Sequence, residues 1–157
     1  MSATGFYDIT QAIKDELIAD DFVNTVTYGD IFKVALNKTT MYPLSHLNVD
    51  SVTYNNQVLT FTFSLICMDI LDQNKAEISD IFLGNDNEHD ILNTQLAVIN
   101  RLFEVLRRGD LNVDSNYKLS GNPTLEAFTD RFEDDVAGWA TTFDVEIRNT
   151  MTKCDLS

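Results

Sequence analysis

Basic residues are scarce in this chain: 11 Lys and Arg stand against 25 Asp and Glu in 157 residues, a formal charge of −14. Wrapping duplex DNA by neutralising its phosphates needs clustered Lys and Arg, so the composition argues against that class of function. The acidic excess is also evenly spread. Residues 1–70 hold 8 acids and 3 bases, and residues 111–157 hold 9 and 4. It is a field of the whole chain rather than an acidic tail, and solubility is its simplest consequence.

Cysteine, histidine, glycine and proline are equally sparse. The two cysteines, Cys67 and Cys154, form no C-x-x-C pair, which leaves zinc and redox roles without support. Six glycines and two prolines provide no linker, and there is no repeat or low-complexity stretch, so one continuous domain over 1–148 with a C-terminal tail over 149–157 is expected. The longest apolar run, around residues 64–70, is far too short for a membrane-spanning helix. The first residues lack the basic and apolar regions of a signal peptide, and the expectation is synthesis and retention in a cytoplasm.

What is present is a chain of ordinary globular composition, 44% apolar and 23% charged, able to bury a core without staples. Residues 8–19 carry Ile9, Ala12, Ile13 and Leu17 at helical spacing. Residues 23–27 and 31–36 read as extended, joined by a turn at Tyr28-Gly29-Asp30. The strongest β signal is a hairpin of residues 44–54 and 57–71 about Asn55-Asn56. In its second strand Leu59, Phe61, Phe63 and Leu65 alternate with Thr60, Thr62 and Ser64, so one face is buried and the other wet. Beyond Leu65 the second face turns apolar as well, through Ile66, Met68 and Ile70, which predicts cover on both sides.

A two-residue turn at Asn55-Asn56 would pair Val52 with Leu59 and set Val49 opposite Thr62, on the wrong face. A bulge at Asp50-Ser51 returns Val49 and Leu47 to the core, and one is predicted there. Residues 90–108 form the clearest helix, with Leu92, Leu96, Ile99, Phe103 and Leu106 on its stripe. Asp86 or Asp90 is available as its cap, and Gly109 follows its end. Residues 124–132 fit either a helix or a strand. Trp139, Thr141, Phe143, Val145 and Ile147 then mark a closing strand. Helices and strands do not alternate regularly, so the expected fold is α+β: an antiparallel or mixed sheet with helices packed on one face.

Candidate chemistry is thin. His46, beside Leu47 in a predicted strand, is placed on its polar face, and His89 sits in Asp86-Asn87-Glu88-His89-Asp90. That segment has Ile91 where a calcium loop needs glycine and reads equally as a solvated loop entering a helix. Asp69 with Asp72, or Glu133-Asp134-Asp135, could hold magnesium or move protons, although 25 acids make chance neighbours common. No nucleophile elbow, phosphate loop or H-E-x-x-H is found, so no catalytic residue, cofactor or metal is expected. Met41, Tyr42 and Trp139 would serve as interface anchors if exposed and as core residues if not.

Several segments together resemble a known group. These are Tyr28-Gly29-Asp30, the hairpin ending Cys67-Met68-Asp69-Ile70, Asn93-Thr94-Gln95-Leu96 with Leu106-Arg107-Arg108-Gly109-Asp110, Pro123-Thr124-Leu125-Glu126, and Gly138-Trp139. The chain is similar to neck or tail-completion proteins of tailed phages, including those of crAss-like phages of Bacteroidetes. The order of its elements resembles the tail-terminator fold. That resemblance implies a homo-oligomeric ring, hexameric or dodecameric, between portal or connector and tail tube. Genome DNA would pass through its lumen without specific binding, and no catalytic residue would be needed. It implies a virion protein, made in the host cytoplasm, with no membrane partner. Ile66, Met68, Ile70, Met41 and Tyr42 are then candidate contacts to a neighbouring subunit, and Asn149, Met151 and Leu156 of the tail candidate contacts to the next ring. The competing expectation is a small acidic regulatory or DNA-mimic protein that binds a basic host partner.

Overall fold

The structure is a computed structural model, and it describes residues 5–30, 41–71, 87–109, 117–129 and 136–148. Helix α1 (Gly5–Ile18) is followed by strands β1 (Thr25–Tyr28), β2 (Leu44–Tyr54) and β3 (Val58–Ile70). Helix α2 (Glu88–Arg108) precedes β4 (Lys118–Ser120), β5 (Leu125–Thr129) and β6 (Val136–Arg148). The six strands form one mixed sheet in the order β1-β2-β3-β6-β4, with β5 also paired to β6. Only β1 and β2 run parallel; the other pairs are antiparallel. The fold is thus α+β, a six-stranded mixed sheet with two helices against it.

Both helices cover the same face. From α1, Ile9, Ile13 and Leu17, spaced by four, enter a core with Phe61, Phe63, Leu65 and Cys67 of β3. The odd-numbered residues of β6 meet them in register, Phe63 opposite Phe143 and Phe61 opposite Val145. Phe61 and Phe63 stack with centroids 6.0 Å apart, and burial of each contributes roughly 2–3 kcal/mol.

The hairpin carries its bulge where the pattern demanded one, between Val49 and Ser51, which sets Val49 opposite Phe63 and Leu47 opposite Leu65. The turn differs from expectation. Tyr54 pairs with Leu59 and Val52 with Phe61, so residues 55–58 intervene rather than two. The Asn55 side chain explains the longer loop: its Oδ1 accepts the Gln57 N–H at 3.4 Å, and Tyr54 Oη donates to Asn56 Oδ1.

Helix α2 begins earlier than expected, at Glu88, and Asp90 does not cap it. Asn87 holds the N-cap position, but its Nδ2 donates to the Ile70 carbonyl instead of the helix, while Asp90 lies inside the first turn and Asp86 lies outside the described residues. The buried stripe is Ile91, Gln95, Val98, Ile99, Leu102 and Leu106, leaving Leu96 42% exposed. Gln95 displaces Leu96 because its Nε2 can donate to the Phe22 carbonyl. Residues 125–129 resolve as strand β5. The expected strand at 31–36, the acidic turn at 133–135 and the tail at 149–157 lie outside the described residues.

Candidate interaction surface

The sheet face away from the helices has two halves. Along β3 the even-numbered residues point there, first Thr60, Thr62 and Ser64, then Ile66, Met68 and Ile70. The apolar half is covered by the chain itself: Leu44 and Met68 are fully buried in a cluster with Tyr42 and Val136, against which Met41, Ile66, Ile70 and Phe128 pack. The five candidates for neighbour contact that fall among the described residues are therefore brought together, but Met68 and Tyr42 are already occupied within the subunit. Asn149, Met151 and Leu156 lie outside the described residues. The signal missed in the sequence was Phe128, whose side chain reaches this cluster from β5.

The polar half is open. Ser64, Ile66, Ala140 and Thr142 floor a trough of about 680 Å³, walled by Asn122 and Thr124 of the β4–β5 connection. Three features position that wall. Gly121 takes φ +71°, Arg107 at the end of α2 donates to the Gly121 carbonyl and to Asn122 Oδ1, and Thr141 Oγ1 donates to the Thr124 carbonyl at 2.9 Å. Arg107 thus fixes a turn, a role beyond its favourable place at the helix dipole; its neighbour Arg108 pairs with Glu104 at 2.7 Å.

Carboxylates on this face are bonded to its hydroxyls. Thr62 Oγ1 donates to Asp144 at 2.6 Å, and Ser64 Oγ and Asn48 Nδ2 both donate to Asp50. Hydroxyl donors of this kind hold the carboxylates in place. Among the described residues the cations on the face, Lys118 and Arg148, adjoin Glu146, Lys118 directly across the ladder and Arg148 two residues along.

The histidines do not form a site. His46 shares this face, yet it is buried at 2% exposure rather than wet. Its Nε2 donates to the Gly29 carbonyl and its Nδ1 faces Thr27 Oγ1, both at 2.7 Å. Burial lowers its pKa below 6.5, against the pull of the Gly29 carbonyl and Asp30, so the neutral ring accepts the Thr27 hydroxyl at Nδ1. His89 is exposed in the first turn of α2.

Burial raises the Asp69 carboxyl despite the Ile70 N–H that it accepts, while its possible partner Asp72 lies outside the described residues. Cys67 is fully buried, which pushes its thiol up to about 12. Trp139 is half-buried and donates Nε1 to the Leu92 carbonyl at 2.8 Å, fastening β6 to α2. Among the described residues no three His, Cys, Asp or Glu side chains converge to hold a metal, and no helix is long and apolar enough to cross a membrane. No protein-family model matches the chain, and no curated protein matches its sequence.

Proposed function

We propose that this chain is a structural virion protein that builds a homo-oligomeric ring at the head–tail neck of a tailed phage, as a tail terminator or connector, with no catalysis of its own. The observation that carries this reading is the asymmetry of the sheet. Both helices pack on one face, while the other presents Thr60, Thr62, Ser64 and Thr142 with Asp50, Asp144 and Glu146 among them. A wall of that composition suits a lumen. It offers a phosphate backbone hydroxyls and, among the described residues, no cluster of Lys or Arg, and the −14 field repels the polyanion so that it slides without sticking. The order of elements supports the same reading: an N-terminal helix, a long hairpin, a helix across the sheet and a closing strand.

The test is quantitative mass spectrometry of purified particles, with copies counted against the portal protein. About six or twelve copies per particle are expected from the symmetry of such rings. Absence from intact particles would overturn the reading in favour of an acidic protein that binds a basic host partner.

A further inference from the structure

Strand β5 puts little of itself into the core. Of its five residues Glu126, Ala127 and Thr129 are exposed, and Leu125 and Phe128 are half-buried. Its ladder with β6 is also separate from that of β4. Ser120 lies opposite Asp144 and Leu125 opposite Thr141, so residues 121–124 face only residues 142 and 143 of β6. Gly121 in that connection has φ +71°, and Pro123 has no N–H to give to a ladder. Helix α2 reaches both ends of the strand. Arg107 in its last turn donates to the Gly121 carbonyl and to Asn122 Oδ1. Glu88 in its first turn accepts the Thr129 hydroxyl at 2.9 Å.

Phe128 gives the strand something to cover. It stands opposite Gly138, which stands opposite Met68. A residue without a side chain lets the ring extend over β6 to the cluster of Met68, Tyr42, Leu44 and Val136, against which it packs. We propose that β5 is a strap, latched at both ends by α2, that lifts from β6 as one unit and uncovers the apolar patch of Ile66, Met68 and Ile70. Closed, the strap withholds from a partner the residues whose pattern best suits a contact surface. Open, it frees that patch and the edge of β6 at residues 137–141 together. A short edge strand with no fully buried side chain opens at lower free energy than the sheet it flanks, and here two polar latches set that free energy. The proposal does not depend on the ring reading, because every residue it uses belongs to one chain.

Native-state hydrogen exchange of the full chain tests it. The β5 amides and the β6 amides that point to β5 should share one protection, at least about tenfold below that of the β6 amides that point to β3. Arg107→Leu and Thr129→Val each remove one latch, at opposite ends of the strand. Either should speed all the β5-side amides alike, about three- to tenfold, and leave those facing β3 unchanged. Met68 is fully buried in the closed state, and peroxide should oxidise it faster by the same factor in both variants. Speeding confined to amides beside the altered residue would overturn the strap as a unit. So would equal protection of the two sets of β6 amides, or a Met68 oxidation rate unmoved by either variant.

Discussion

Gly138 of β6 faces Met68 of β3 at such close range that a Cβ at Gly138 would sit 1.9 Å from the Cys67 carbonyl oxygen and 2.8 Å from Met68 Cα. Backbone rather than a yielding side chain would meet that carbon, so the β3–β6 ladder must shift to admit it. Gly138→Ala is expected to cost at least about 2–3 kcal/mol, as forced overpacking does. Urea denaturation checks this. A midpoint equal to that of the parent would mean that the two strands do not approach as described.

His46 links stability to pH. Its folded pKa is lowered, chiefly by burial, so the unfolded chain binds a proton more readily. The stabilisation is complete above the unfolded value near 6.5 and is lost as pH falls from there through the folded value. His46→Gln keeps a donor for the Gly29 carbonyl and removes the titration. The variant should show a flatter dependence of unfolding free energy below about pH 6.5. An unchanged slope would show that other groups set it.

Asp20 and Arg101 join the end of α1 to α2 through two bonds, Arg101 Nε and Nη2 donating to the two carboxylate oxygens at 2.6 and 2.7 Å. Burial pushes the Asp20 carboxyl up, but Arg101 and the Phe22 N–H together hold it below its usual value. The Asp20 side chain is 6% exposed beneath a half-exposed Arg101, so Arg101→Met uncovers the carboxylate and leaves it the Phe22 N–H. A loss of about 1 kcal/mol is expected, with Arg101→Lys recovering only part because a point charge cannot form the paired geometry. A double-mutant cycle with Asp20→Asn measures the coupling; a coupling near zero would contradict the bidentate bond.

Gln95 is fully buried, and its Oε1 has no hydrogen-bond partner among the described residues. Gln95→Leu removes that unsatisfied atom along with the bond to the Phe22 carbonyl, so the two effects oppose and the change should stay within about 1 kcal/mol. Gln95→Glu puts a carboxylate in the same place. It should destabilise by more than about 2 kcal/mol at neutral pH and recover on acidification as the carboxyl is protonated. Thermal melts of both variants at two pH values separate these outcomes.

Cys67 tests the depth of the core in a different way. With its thiol pushed up to about 12 and fully buried, the peptide containing it should remain unmodified by iodoacetamide in native buffer and react fully in denaturant. Labelling at a similar rate in both conditions would show that the β3–β6 centre opens readily.

Much of this was legible in the chain because it depends on near neighbours. The period of two along Leu59, Phe61, Phe63 and Leu65, and again from Trp139 to Ile147, fixes strand type and core face together. The bulge at Asp50 was legible for the same reason, since hydrophobic register can be kept only by one extra residue. The acidic excess and the absence of known catalytic motifs are properties of the sequence alone.

Only the tertiary structure decided the rest, because burial depends on what packs against a side chain. Gln95 enters the core in place of Leu96 because a carbonyl 73 residues away is there to receive its amide. His46 is dry because the turn at Gly29 folds over it, and Met68 is closed off within the subunit because Val136 and Tyr42 reach it from distant parts of the chain.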